Sequence, residues 1–429
     1  MGQAMSPRVF HDRRIGITQK ASTRRRKKQQ IALVPQNSAP EAIQGIEFTA
    51  ALPYSFQPMA FFPEDRLIEE LLSFFRPHNR IKLPPGDDAM TISEIPVMEM
   101  VVSLDAFFEG VHFKRDYMDL GDIGHKSLAA ALSDLAATGA LPLTYLVNLE
   151  LPPDLDVEKV KEIYRGYEGL NDAYCISPSG GNVVRGDRIS LVTTVIGEVE
   201  KDSALKRTGM AEGDVVVVTG DLGRPGAALL LYEKKELREK LSNFDLGPIF
   251  EKFKKPWPRI KEIQNIKREV NITSIIDISD GLGIDLYRLA RLNGFSIVID
   301  ESRLPVHPSV VPLLEIGGIS TWELISESGE EYELLFTVPE EDVKKLENLQ
   351  CELTPIGRVV PGFRPRVVLK KKDGGEVDIS QRGYDHRRAD KAGPVPRQFP
   401  DRSKEGGDSR FPEDRRDRED RGGPPREAP

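Results

Sequence analysis

HKSLAAALSDLAATGA, residues 125–140, decides how the chain is read. It is the body of an Ala- and Leu-rich helix, opening at DIG (122–124), with almost no polar face apart from Ser133 and Asp134. A carboxylate buried unpaired in such a helix is costly, and a metal ion or buried cation beside Asp134 removes the penalty. The alternative is a narrow solvated stripe on which Asp134 accompanies Lys126 and Ser127.

Outward from this helix, MEMVVSLDAF (98–107), LTYLVNLEL (143–151) and RISLVTTVIGEV (188–199) read as strands, and VEKVKEIYRGYEGLNDAY (157–174) as a second helix. Beyond Glu200 a new series begins, with DVVVVTG (214–220), SIIDIS (274–279), FSIVID (295–300), YELLFTV (332–338) and RPRVVLK (364–370) as strands. DGLGIDLYRLARLNG (280–294) is a helix among them. The pattern predicts an α+β protein of two α/β domains, 59–200 and 201–386, the second a mixed sheet flanked by helices. No glycine-rich fingerprint opens the first helix, so a dinucleotide-binding fold has little support.

Further out the chain changes character. Residues 1–58 hold a basic segment, with Arg8, Arg13, Arg14, Lys20, Arg24, Arg25, Arg26, Lys27 and Lys28 against the single acid Asp12 in the first 30 positions. Residues 387–429 mix Arg, Asp, Glu, Gly and Pro almost without apolar residues. The basic stretch has no periodic apolar face, and the C-terminal one cannot offset its ordering entropy, so both segments are expected to be disordered. Ordered structure is expected from Met59, where PEDRLIEELLSFF (63–75) places Leu67, Ile68, Leu71, Leu72 and Phe75 on one helical face. The 429 residues carry a net charge of −8, which gives no global pull towards nucleic acid or an anionic membrane. Cys175 and Cys351 are the only cysteines and suggest neither a disulfide framework nor a thiolate zinc site. With no apolar run of membrane length and no signal-peptide pattern, the expected location is the cytoplasm.

Acids recur where strands end and loops begin: Asp87, Asp88, Asp105, Asp134, Asp277 and Asp280. Magnesium takes hard oxygen ligands and bridges carboxylates to phosphates, so a phosphoryl-transfer site needs acids converging from several segments. Singly, each has a plainer reading. PPGDDAM (84–90) also reads as a solvated turn, His112 as a structural histidine, and Ser279 or Asp280 as a helix cap. Gly180 and Gly181, with Arg185 nearby, let backbone N–H groups approach a phosphate or simply make a turn. Glu330 and Glu331 precede a strand. No Ser-His-Asp, Cys-His or zinc spacing competes with the carboxylates.

The order of these pieces resembles the thiamine-monophosphate kinase family, within the superfamily that includes aminoimidazole ribonucleotide synthetase and selenophosphate synthetase. The motifs are GDDA (86–89), SLDAFFEGVHF (103–113), HKSLAAALSDLAATGA, SGGN (179–182), KRTGMAEGD (206–214), IDISDGLGIDL (276–286), SGEEYELLFTV (328–338) and GYDH (383–386). The resemblance implies ATP-dependent phosphorylation of thiamine monophosphate to thiamine diphosphate, with magnesium between the two domains and the N-terminal domains paired across a homodimer. It implies Asp88, Ser103, Asp105, Asp134 and Asp277 as metal ligands, with Asp280 on a further ion. Gly181, Arg207 and Ser279 would face ATP, and His112 and Glu330 the thiamine phosphate.

Three positions depart from the family pattern. Asn182 stands where the family has a metal-ligating Asp, so one ion is expected to bind more weakly there. Leu104 replaces a Thr and keeps a ligand role only through its backbone oxygen. Gln381 aligns with an aromatic residue expected to pack on the thiamine ring. Two other readings stay open at this point: ATP-dependent activation of another small substrate, and a nucleotide-binding dimer without turnover.

Overall fold

The computed structural model describes residues 81–83 and 90–384. Asp87, Asp88, Met59, the helix expected at 63–75, both charged tails and the last two residues of GYDH lie outside them.

Six strands build the first sheet: β1 (Ile81–Leu83), β2 (Met90–Ile95), β3 (Met98–Phe108), β4 (Leu141–Leu151), β5 (Pro178–Arg185) and β6 (Ser190–Glu200), in the order β1-β2-β3-β6-β4-β5. Neighbours are antiparallel except β4 and β5, which run parallel and are joined through a helix, as a parallel pair requires. That helix is α2 (Val157–Tyr174), capped by the Asp156 side chain accepting from Lys159 N–H. In β6, Leu191, Thr193 and Val195 are buried while Val192, Thr194 and Ile196 are half-buried. One face of the sheet is therefore covered, and the other is open. The covering layer is α1 (Leu120–Ala137) with α2 packed on it.

Seven strands build the second sheet: β7 (Val215–Thr219), β8 (Ser274–Asp277), β9 (Ser296–Asp300), β10 (Leu334–Val338), β11 (Leu353–Val360), β12 (Val367–Lys370) and β13 (Glu376–Asp378). Their order is β13-β12-β9-β11-β7-β10-β8, and only β12 and β9 pair in parallel. Every residue of β7 is buried, because helices cover both faces. Val216 and Val218 face a core containing Leu282, Leu286 and Leu289 of α7 (Leu282–Asn293). Val215 and Val217 face the other core, with α3 (Arg224–Glu233), α5 (Gly247–Lys254, after the short α4, Lys235–Lys240) and α6 (Ile260–Glu269).

Helix α1 belongs to both halves. It touches β3 and β6 on one side and β8, α5 and α6 on the other, so a single apolar core runs from the first sheet into the second. This explains a helix that is apolar all round. From Asp122 to Ala140 every residue is buried except Asp134. The solvated-stripe alternative fails, since Lys126 has 0% exposure.

The sequence reading did not assign a strand to SGGNVVR. The structure makes it β5, because glycines let this edge strand close on β4: a Cβ on Gly181 would lie 2.0 Å from the Val147 carbonyl oxygen.

Candidate active site

Where α1, the end of β3, the β8–α7 turn and the segment entering β10 meet, a cleft of about 620 Å³ opens. Asp105, His112, Asp134, Asp277, Asp280 and Glu330 all line it, with Leu104 and Ser279. They come from four separate stretches of chain, the end of β3 with its following loop, α1, the β8–α7 turn and the segment before β10, and hydrogen bonds fix their relations. Ser103 Oγ on β3 donates to Asp134 Oδ2 at 2.5 Å. Ser133 Oγ, one residue along α1, donates to Asp277 Oδ2 at 2.7 Å. The two serines thus fasten the first sheet to α1 and α1 to the second sheet through the acids themselves.

Burial dominates the electrostatics of three of these carboxylates. Burial, reinforced by Asp277, Asp280 and Glu330 and opposed by the Ala106 N–H, pushes the Asp105 carboxyl up to about 7. Burial and the charges of Asp277 and Asp105 hold Asp134 well above the usual carboxylate range, against the Ser103 hydrogen bond. Asp277 is raised by burial too, against the opposing pull of Ser133 and of Arg207. Among the described residues, no three His, Cys, Asp or Glu side chains already surround a common point as metal ligands would. Asp134 and Asp277 each accept a serine hydroxyl, and Asp280 accepts Arg288 Nη1 at 2.6 Å.

The DISDG turn differs from its expected capping. Neither Ser279 nor Asp280 caps α7; Asp285 reaches back instead, its Oδ2 accepting the N–H groups of Asp280 and Gly281 at 3.1 Å each. Those two helix-terminal donors are therefore engaged by a side chain of the protein. Arg288, 2.7 Å from Asp285 Oδ1, ties the cap to Asp280. The i, i+3 spacing of Asp285 and Arg288 was the available sequence signal.

His112 is held by its own loop: Nδ1 accepts the Phe108 N–H at 3.0 Å, and the ring stacks on Phe107 at 5.3 Å. The neutral ring then carries its proton on Nε2. Glu330 adopts a left-handed backbone (φ 59°), as does Tyr332 (φ 52°), and the Glu330 N–H donates to the Ser279 carbonyl at 2.7 Å. Its partner Glu331 points elsewhere. It accepts from Ser328 Oγ and the Gly223 N–H, both at 2.6 Å, and does not line the cleft.

Other expected site residues are not gathered here. Gly180, Gly181, Asn182 and Arg185 are exposed on the edge strand β5, and Asn182 Nδ2 donates to Asn148 Oδ1 at 3.1 Å. Cross-strand register runs from Ala106 through Val192 and Asn148 to Asn182, three strand spacings, or about 14 Å. Arg207 does not line the cleft, although its charge reaches Asp277. Gln381 is exposed outside it, whereas Tyr332 and Tyr384 line it. Lys126, which the sequence reading placed on a possible solvated stripe, lies behind Glu330, with Nζ 3.1 Å from Glu330 Oε2.

The sequence model for the AIR synthase related protein, N-terminal domain, matches residues 86–199, and that for the C-terminal domain matches residues 211–370. The thiamine-monophosphate kinase of Bacillus subtilis (strain 168) is 33% identical over 314 residues, covering 72% of this chain and 94% of the relative. The chain belongs to the thiamine-monophosphate kinase family. Its fold is that of the family as well. The crystal structure of thiamine monophosphate kinase from Aquifex aeolicus superimposes with a TM-score of 0.59 at 30% identity, covering 73% of this chain and 97% of the other. AaThiL complexed with AMPPCP and TMP gives a TM-score of 0.62 at 31% identity, covering 75% and 95%.

Proposed function

We propose that this protein transfers the γ-phosphoryl group of ATP to thiamine monophosphate, giving thiamine diphosphate and ADP, at the cleft between its two sheets. The convergence of Asp105, Asp134, Asp277 and Asp280 from three separate elements carries this reading. An oxygen of the acceptor phosphate attacks the γ-phosphorus, a new P–O bond forms, and the bond to the β–γ bridging oxygen breaks with its electron pair leaving on ADP. No protein nucleophile is needed.

The donor set fits magnesium. It is all oxygen, it is at least half-buried, and burial pushes the Asp105, Asp134 and Asp277 carboxyls up, a cost that a bound cation relieves. Asp105, Asp134, Asp277, Asp280 and Ser103, with the Leu104 carbonyl and Asp88, would hold it. When bound, the metal neutralises charge on the phosphates. Ser279 and Arg207 would serve ATP. His112 and Glu330 would serve the second substrate, since a carboxylate and an Nε2–H suit a cationic ring and a phosphate respectively. Tyr332 and Tyr384 offer that ring the aromatic faces that Gln381 does not.

A second copy of the chain would cover the open face of the first sheet, where Leu104, Leu146 and Val184 are 59%, 37% and 42% exposed. Gly181 and Asn182, about 14 Å of sheet from Asp105, would reach a nucleotide only in an assembly that brings β5 to a cleft. We place the enzyme in the cytoplasm and its domain boundary near Glu200; among the described residues no helix is long and apolar enough to cross a membrane.

The test is turnover of purified protein with ATP and magnesium, offering thiamine monophosphate, thiamine and aminoimidazole precursors separately. Thiamine diphosphate is expected from the first alone. ADP release with a different acceptor and none with thiamine monophosphate would overturn the assignment.

A further inference from the structure

Lys126 is a fully buried lysine, unusual for that residue type, and it does not line the cleft. Its Nζ sits 3.7 Å from the centroid of the Phe253 ring and 3.1 Å from Glu330 Oε2. Phe253 is itself fully buried on α5. The ammonium is thus clamped between an aromatic face and a carboxylate, outside the cleft that Glu330 lines. Glu330 is held at its other end by a left-handed backbone and by the Ser279 carbonyl, so both ends of its side chain are fixed.

Lys126, Ala130 and Asp134 are successive residues at i, i+4 and i+8 on α1, and Ala130 and Asp134 line the cleft. Eight residues of helix span about 12 Å, too far for the Lys126 ammonium to touch a phosphate held at Asp134. Its effect must pass through Glu330.

We infer that Lys126 is a positioning residue that aims the Glu330 carboxylate into the cleft and thereby sets affinity for thiamine monophosphate, leaving phosphoryl transfer itself to the acids at the other end of the stripe. This rests on the reading of Glu330 as a substrate contact. Without the ammonium, Glu330 is a buried carboxylate lacking this partner, which neutralises or turns away; in either case the oriented charge is lost.

The test is steady-state kinetics of four variants: Lys126→Met, Lys126→Arg, Glu330→Gln and the double variant Lys126→Met/Glu330→Gln. Lys126→Met is expected to raise KM for thiamine monophosphate by about 10-fold, with kcat and KM for ATP little changed. Lys126→Arg should recover part of the loss by keeping the charge. The double variant should be no worse than Glu330→Gln alone, because one residue acts through the other. It also replaces the ion pair by two neutral groups, so it remains measurable if Lys126→Met alone folds poorly. An unchanged KM in Lys126→Met, a fall in kcat without a rise in KM, or a double variant carrying both losses multiplied overturns the inference. An unchanged KM in Glu330→Gln instead overturns the reading of Glu330, and the two failures are told apart by which single variant is silent.

Discussion

Ser133 Oγ donates to Asp277 Oδ2 at 2.7 Å, joining residues 144 positions apart in the chain. Ser133 is fully buried and Asp277 nearly so, so the bond is made where water does not compete. It links the helix that covers the first sheet to the strand that ends in the second, at the wall of the cleft.

Ser133→Ala removes the one neutral donor that this geometry gives to Asp277 Oδ2 from α1. Stability should fall by about 1–3 kcal/mol, the cost of leaving a buried acceptor unmade, and the magnesium concentration for half-maximal rate should shift. Melting curves and a magnesium titration of turnover check both. A variant unchanged in each would mean that this contact matters neither to the fold nor to the acid cluster.

Asp134→Asn keeps shape and removes charge. Turnover should fall by about three orders of magnitude or more, while the protein stays folded. Stability in chelator should move the other way. Carboxyls raised in the fold bind protons that the unfolded chain has released, so stability falls as pH rises from the ordinary 3.8 towards the folded value, about 7 for Asp105. Asp134 is raised well above 3.8 as well, so the variant should lose less stability over that interval. Melting temperatures in chelator from acid to neutral pH provide the measurement.

Glu333 has the opposite sign. Burial would raise its carboxyl, but Lys252 at 2.8 Å and Arg259, with Nε and Nη2 both at 2.6 Å, outweigh it and hold the group down at about 2, against an ordinary 4.5. Its contribution is complete above about pH 4.5 and is lost as pH falls through about 2. The amount is on the order of 3 kcal/mol. Glu333→Gln should flatten the acid limb in that window and lower stability at neutral pH, because Lys252 and Arg259 lose a buried partner. Acid denaturation curves that overlay the wild type would refute the account.

Leu146→Glu places a charge on the open face of the first sheet without touching α1. If a second copy covers that face, the variant should sediment as a monomer at concentrations where the wild type is dimeric. Its melting temperature should become independent of protein concentration. An unaltered sedimentation profile would locate any self-association elsewhere.

Alternation along the chain was enough to read two α/β halves, and the apolar stretch at 125–140 was enough to mark Asp134 as a carboxylate needing compensation. Local periodicity and the cost of burying charge are carried by neighbouring residues, so a sequence states them directly. What the sequence left open was partnership across the fold. Whether Lys126 lay on a solvated stripe or in the core depended on a second sheet packing onto the far side of α1. Whether Ser279, Asp280 or Asp285 capped α7 depended on a turn geometry that several side chains could satisfy. SGGN read as a glycine turn because a parallel edge strand takes its hydrogen bonds from β4, some 30 residues earlier, and nothing local to those glycines records that pairing. Glu330 and Glu331 are adjacent and chemically alike, yet two left-handed residues flanking the second send one carboxylate into the cleft and the other towards Ser328 and Gly223. Composition supplies the charges; only the packing of one half on the other decides which of them face a ligand.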